Sequence, residues 1–353
     1  MFSCIYKSTY LFFFIFSRLV FWSSSMPFFL IAIFFQSLVF FCSGHIKCSE
    51  EKVLICGVIK NGEKGFGNVK KCAEELGNLF ADYRVIVYEN NSTDATKNLY
   101  HGWTQNNQKV IFISEDLTQD FLDNYTVKIG DYRTQFIARA RNIVLEKALS
   151  CEFDDYAYHI MVDLDGIGPW PVSEIINTIE NPEHEWDAIC ANGSYDLYAI
   201  RSDKYCLNLD LIGQVWLENQ AYIGNKLQEL LQNGLWYPVE SAFGGLAIYK
   251  RSSIKGCLYQ GYIKSDYIKY LLKKSYKSDL IYKNLCKKNM LKLRYTLRNL
   301  KEWHRLGSIE YTKLDHYHIC EHVQFHNDMI SNGHNKIFIN PNLKVLSLEH
   351  RNY

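Results

Sequence analysis

The 353-residue sequence has almost no excess of charge, with 39 Lys and Arg against 38 Asp and Glu and a formal net charge of +1. No global field draws the chain to nucleic acid, so any electrostatic function must be local. The 11 cysteines, at 4, 42, 48, 56, 72, 151, 190, 206, 257, 286 and 320, form no CxxC pair and no zinc-ribbon spacing, which speaks against a structural zinc site. Their odd total leaves at least one thiol outside any disulfide scheme. Cys56 and Cys190 lie in apolar runs, where cysteine acts as a small core residue. Internal repeats are lacking as well. With 48% hydrophobic and 22% charged residues, the chain has the composition of one that buries a core, not of a disordered one.

Also missing is an apolar run of the roughly 20 residues that a membrane-crossing helix needs. Leu11 to Phe16 and Phe28 to Phe41 come nearest, broken by Ser17, Arg18, the serines Ser23, Ser24 and Ser25, and Pro27. The second run, at about 14 residues, has the length of a signal-peptide core. Positions 1–50 therefore read as a hydrophobic leader and linker, a signal peptide or signal anchor, with Met26 as a second candidate start. Through it the protein is expected to associate with a membrane or enter the secretory pathway.

From Glu51 the pattern alternates strands with helices. Strands are predicted at Val53 to Ile59, Tyr83 to Tyr88, Lys109 to Ser114 and Ala157 to Val162. Helices are predicted at Asn68 to Phe80 and at Thr134 to Leu149, the latter with Phe136, Ile137, Ala140, Val144 and Ala148 inward. Further strands are expected at Trp186 to Ala191, Leu197 to Ile200, Gly245 to Tyr249 and Lys336 to Ile339, with a helix at Glu321 to Ser331. Strands separated by helices imply an α/β fold with a mainly parallel, buried sheet. The segment from Lys264 to Arg305 carries thirteen Lys or Arg against Asp266, Asp279 and Glu302 and reads as an inserted basic helical arm. It is either a solvated charged face or a contact for an anionic surface or acceptor.

In such a sheet ligands bind beyond the carboxyl ends of the strands. Three of those ends are polar: Lys60-Asn61-Gly62-Glu63, Glu89-Asn90-Asn91-Ser92-Thr93-Asp94 and Asp163-Leu164-Asp165-Gly166. Asp163 and Asp165 point to the same side, with roughly 6 to 7 Å between Cα atoms. Two close carboxylates repel unless a cation joins them, and a hard divalent ion, Mn2+ or Mg2+, bridging to a diphosphate would neutralise a departing nucleotide. The same tetrapeptide also opens a haloacid-dehalogenase-type phosphatase motif. There the first Asp is the nucleophile, but that motif sits on the first strand and is followed by Thr, where this chain has Ile167. A noncatalytic, membrane-tethered sugar-binding protein is the third alternative.

Six ordered segments carry a family resemblance: Tyr88 to Asp94, Phe136 to Asn142, Met161 to Asp165, Trp186 to Asn192, Phe243 to Tyr249 and Cys320 to His326. Together they resemble the GT-A glycosyltransferases, and within them the fungal capsule-associated α-1,3-mannosyltransferase family, over about positions 53–345. The resemblance implies a GT-A fold over 51–353, a divalent metal, a GDP- or UDP-sugar donor, and transfer of a hexose, mannose in that family, to a glycan hydroxyl. The arm at 264–305 has no place in it.

The remaining polar residues can then be given roles. Glu89, Asn90 and Asp94 lie where a base or ribose would be bound, or else form a turn and helix cap. Arg133, Arg139 and Arg141 are candidates for the diphosphate, although Arg139 and Arg141 lie on different faces of one helix. Gly244 and Gly245 would let a sugar approach the backbone, or simply make a tight turn. Glu240 is a candidate base. Glu321 is another, or favours the helix dipole. His322, one turn before His326, is a candidate third metal ligand.

Overall fold

The computed structural model describes residues 50–129, 133–165, 168–181, 185–193, 197–202, 224–225, 227–261 and 319–345. The leader and the basic arm at 264–305 lie outside these residues. No helix among the described residues is long and apolar enough to cross a membrane.

The amino-terminal half is a run of βα units: β1 (Lys52–Ile59), α1 (Phe66–Gly77), β2 (Asp82–Asn90), α2 (Thr96–Asn106), β3 (Val110–Glu115), α3 (Gln119–Ile129), α4 (Arg133–Ala148) and β4 (Tyr158–Asp163). After it come α5 (Val172–Ile179), β5 (Ala188–Gly193), β6 (Tyr237–Pro238), β7 (Leu246–Lys250), α6 (Glu321–Ser331) and β8 (Ile337–Val345). The strands form one sheet in the order β3-β2-β1-β4-β7-β5-β8-β6. β1, β2, β3 and β4 pair in parallel, and β5 pairs in parallel with β8. β7 runs antiparallel between β4 and β5, and β6 pairs antiparallel with β8 at the edge. This is the Rossmann-like mixed, mainly parallel sheet flanked by helices that the GT-A resemblance implies.

Alternation along β1 explains the two layers. Val53 and Ile55 face one core, with Val69, Cys72, Ala73 and Leu76 of α1 and with Tyr100 and Trp103 of α2. Leu54 and Cys56 face the other, with Ala138, Val144 and Leu145 of α4 and with Val323 and Phe325 of α6. The α1 residues recur at the i, i+3, i+4, i+7 spacing of one helical face. Because both faces of the sheet are covered, β1 reads as a nearly unbroken apolar run.

Two expectations are corrected. Leu197–Ala199 is a 3-10 turn rather than a strand, closed by the Ile200 N–H donating to the Leu197 carbonyl (3.2 Å). The inward face of α4 holds Ala140, Val144 and Ala148 as expected, but Phe136 and Ile137 are only half-buried, while Gln135, Ala138 and Arg141 are buried instead. Packed on the same face of the sheet as α6, this helix keeps an arginine on its covered side.

The antiparallel insertion of β7 positions the end of β4. The Asp163 N–H donates to the Gly245 carbonyl (2.9 Å). Gly244 and Gly245 both have positive φ, 62° and 87°. A Cβ on Gly244 would come within 2.4 Å of the Ala191 carbonyl oxygen, and one on Gly193 within 2.2 Å of the Gly244 carbonyl oxygen. Gly244 is therefore required by backbone packing against the end of β5, Gly245 is favoured by its positive φ, and both glycines are buried. The expectation that their missing side chains admit a sugar gives way to the tight turn. Gly244→Ala should cost about 2 kcal/mol or more through its φ and the backbone overlap. A lowered thermal midpoint checks this, and an unchanged midpoint would show that the turn can relax.

Candidate active site

The carboxyl ends of β1, β2 and β3 are laced together by short polar side chains. Asn61 and Asn91, at φ 54° and 52°, hold the left-handed turns that asparagine tolerates. Asn61 Oδ1 accepts the Thr93 N–H (2.8 Å), and the Asn61 N–H donates to Ser92 Oγ (3.0 Å). The Glu63 N–H donates to Asp94 Oδ2 (3.1 Å), while Glu63 Oε2 accepts the Ala95 N–H (3.1 Å). Asn91 exchanges two bonds with Leu117, through Oδ1 from its N–H (3.1 Å) and through Nδ2 to its carbonyl (2.9 Å).

This lacing consumes most of the residues expected to read a base or ribose. Glu89 is fully buried; its Oε1 accepts the Ser92 N–H and its Oε2 the Ser114 hydroxyl, both at 2.6 Å. Asp94 Oδ1 accepts the backbone N–H (3.0 Å) and the hydroxyl (2.5 Å) of Thr96 at the start of α2. Although its slight burial raises the Asp94 carboxyl, these bonds outweigh that and hold it below its ordinary value. Glu89 and Asp94 thus support the turn and cap the helix, the alternative open in the sequence. Asn90 is half-buried, with its Nδ2 donating to Asn91 Oδ1 (3.2 Å).

At the end of β4 the charges concentrate. Asp165 is exposed at the rim; partial desolvation and the charge of Asp163 push its carboxyl up, against the opposing pull of Arg141 and Arg133. Arg133 sits at the exposed start of α4, and its charge opposes the rise at Asp165. Arg139 and Arg141, two positions apart, do diverge. Arg139 Nη2 donates to Glu115 Oε2 (2.8 Å), and its Nη1 to the Tyr88 hydroxyl (2.7 Å). Arg141, 3% exposed, donates from Nη2 to Asp163 Oδ1 (2.8 Å) and from Nε to Glu321 Oε1 (3.1 Å). Both arginines expected at a diphosphate are thus engaged by carboxylates of the protein, and Arg133 is the exposed one of the three.

The histidines divide in the same way. His326 is held in the core by the Ser241 hydroxyl at Nδ1 (3.0 Å) and the Tyr249 hydroxyl at Nε2 (3.1 Å). His322 is also fully buried and stacks on Phe243 with ring centroids 3.8 Å apart, but neither of its ring nitrogens has a hydrogen-bond partner among the described residues. It does not join Asp163 and Asp165 in a three-donor group, since no set of three or more His, Cys, Asp and Glu among the described residues could hold a metal. Glu321 is raised by burial, with Asp163 adding to the rise and Arg141 opposing it. Glu240 is half-buried on the segment between β6 and β7, where its N–H donates to the Arg201 carbonyl (2.8 Å).

Two further participants stand out only in three dimensions. Glu115, the last residue of β3, anchors Arg139; following β3 one residue past Ser114 to its carboxyl end would have found it. Phe243 lies under the Arg141 guanidinium, 4.7 Å from its carbon, a contact that needs β7 beside β4 and leaves no local trace in the sequence. Chemically, two carboxylates on one rim suit a hard divalent ion. With two protein oxygens, its other positions would fall to phosphate oxygens and water, the usual arrangement for Mg2+.

No protein-family model matches the sequence, and no curated protein does. Among solved structures, the chain is similar to a mannosyltransferase from Pyrobaculum calidifontis in complex with GDP-Man and Mn2+, at 13% identity and TM-score 0.38, covering 84% of this chain and 56% of that one. It is also similar to glucosyl-3-phosphoglycerate synthase from Mycobacterium tuberculosis in complex with Mn2+, UDP and phosphoglyceric acid, at 11% identity and TM-score 0.33, covering 58% and 57%. A third is S. aureus TarS 1-349, at 14% identity and TM-score 0.32, covering 59% and 50%. The chain thus spans about half the length of the structures it matches. Scores this low leave the functional assignment to the site's own residues.

Burial lowers both His159 and His326 to about 3, with the Arg251 charge adding to the effect at His159, and burial drives His322 well below its ordinary value. A histidine kept neutral in the fold contributes its full stability above an unfolded value of about 6.5. That contribution falls as the pH drops from there toward the folded value. Each such histidine should cost roughly 1.4 kcal/mol per pH unit below about 6.5. Urea midpoints are expected to fall between about pH 7 and pH 5; a flat profile would show these imidazoles protonating within the fold.

Proposed function

We propose that this protein is a metal-assisted glycosyltransferase that moves a hexose from a nucleotide-diphosphate sugar to a glycan hydroxyl. The observation that carries the reading is the pair Asp163 and Asp165, two positions apart at the carboxyl end of a central parallel strand, with Arg141 bonded to Asp163. A carboxylate pair on the ligand-binding rim of such a sheet, with only Asp163 bonded to Arg141, suits a divalent cation carrying an anion.

In this reading Asp163 and Asp165 hold Mn2+ or Mg2+, which when bound supplies charge neutralisation to the departing nucleotide diphosphate. Arg133 adds positive charge from the start of α4. The laced loops at Asn61 to Glu63 and Asn91 to Asp94 form a rigid wall for the nucleoside, with Asn90 rather than Glu89 or Asp94 facing the ligand. Glu321 and Glu240 are the carboxylates available to the acceptor side, and His322 serves as an aromatic neighbour of the cluster rather than a ligand. Mannose as the sugar, GDP or UDP as the nucleotide, and kinship with the fungal capsule-associated α-1,3-mannosyltransferases are the finer parts of this proposal. They are supported by the six ordered motifs and the GT-A-like sheet. The apolar leader at 1–50 is proposed to deliver the protein to a membrane or to the secretory pathway.

Calorimetry of the purified chain tests the reading. A nucleoside diphosphate is expected to bind only with Mn2+ present, and Asp165→Ala should weaken binding by a factor of ten or more, at least about 1.4 kcal/mol. Metal-independent binding, or equal binding by the variant, would remove the metal clamp. Release of phosphate from model esters, abolished by Asp163→Asn, would instead favour a phosphatase.

A further inference from the structure

We infer that Arg141 is a positioning residue that fixes Asp163 and Glu321 against each other and presents the Asp163 carboxylate to a divalent cation; the inference rests on the metal-assisted reading above. The bridge is direct: Nη2 donates to Asp163 Oδ1 at 2.8 Å and Nε to Glu321 Oε1 at 3.1 Å. Its three parts come from different elements, the end of β4, the middle of α4 and the first residue of α6. No local segment could set their spacing.

Charge supports the same role. With side chains ionised, the carboxylates of Asp163, Asp165 and Glu321 outnumber the guanidinium of Arg141, and the cluster stays net negative even with Arg133 beside it, which favours a divalent ion. An unopposed guanidinium beside Asp163 would repel that ion. Glu321 supplies the counter-charge, so Asp163 is oriented by Arg141 without losing its attraction for metal. The loop that bears Phe243 places its ring 4.7 Å from the guanidinium carbon, and the same loop holds the Asp163 backbone through Gly245. Side chain and main chain of Asp163 are therefore fixed from one direction each.

Stability alone does not account for this arginine. Arg251 is equally buried, but it uses Nε, Nη1 and Nη2 on the Ala148 and Ser150 carbonyls and on Asp154. Arg141 leaves Nη1 buried and without a hydrogen-bond partner among the described residues, a costly omission for a residue that only holds the fold together. A donor left open beside a metal-binding carboxylate is in place for an oxygen that arrives with a ligand.

The test is the Mn2+ dissociation constant of the folded chain, read by calorimetry with a nucleoside diphosphate present. Arg141→Lys keeps the charge but loses the fork that spans two carboxylates, and should weaken Mn2+ binding about tenfold or more, the usual effect of removing a partner that orients a metal ligand. Glu321→Gln keeps the shape but leaves the guanidinium uncompensated, and should weaken Mn2+ in the same direction. It also decides the matter if Arg141→Lys does not fold. Variants that fold and bind Mn2+ as the wild type does would overturn the role of Arg141 alone. A wild-type chain that binds no Mn2+ would overturn the metal-assisted reading and this inference with it.

Discussion

Two carboxylates held two residues apart at the end of a buried strand repel each other, and most of what surrounds β4 answers that repulsion. Arg141 reaches one of them from α4, Arg133 acts on the other from the start of the same helix, and Glu321 balances Arg141 from α6. The protein compensates the pair only in part, because Arg141 bonds Asp163 and Glu321 together and so sets one guanidinium against two carboxylates before Asp165 is counted. In the proposed reading, a partly compensated charge on the ligand-binding edge of a sheet is what a cation would complete. A fully compensated one would be a strut.

Struts are found elsewhere in the molecule. At the opposite ends of the strands, Asp82 takes Arg84, Lys109 and the Tyr156 hydroxyl, and Arg251 has each of its donor nitrogens bonded. His326 is bonded on both ring nitrogens, whereas His322, one turn earlier and stacked on Phe243, is bonded on neither among the described residues. Arg141 Nη1 shares that state in the same buried cluster beside Asp163, as do His159, Tyr100 and Ser150 away from it.

Much of the architecture is written locally. The apolar runs of β1, β2 and β4 and the helical spacing of Val69, Cys72, Ala73 and Leu76 are properties of single segments, and they gave the α/β alternation and the polar strand ends. The Asp163 and Asp165 pair was legible because a strand end fixes both direction and spacing. The partners of the charged residues were not. Arg139 and Arg141 could be assigned to different faces, yet only the packing of α4 on the sheet beside α6 decides that one meets Glu115 and the other meets Asp163 and Glu321. Glu89 and Asp94 looked like ligand-binding groups because a carboxylate at a strand end serves equally well as a helix cap, and the choice depends on where the neighbouring loop at Asn61 to Glu63 lies. The need for Gly244 likewise comes from Ala191 and Gly193, some fifty positions away.

The central claim, that the carboxylate pair serves sugar transfer, is tested most directly by incubating the purified chain with a panel of nucleotide sugars, glycan acceptors and Mn2+ and identifying products by mass. The account predicts an acceptor heavier by one hexose, formed from at least one donor and lost when Mn2+ is chelated. A chain that binds glycans but turns over no donor, or that only cleaves phosphate esters, would contradict it.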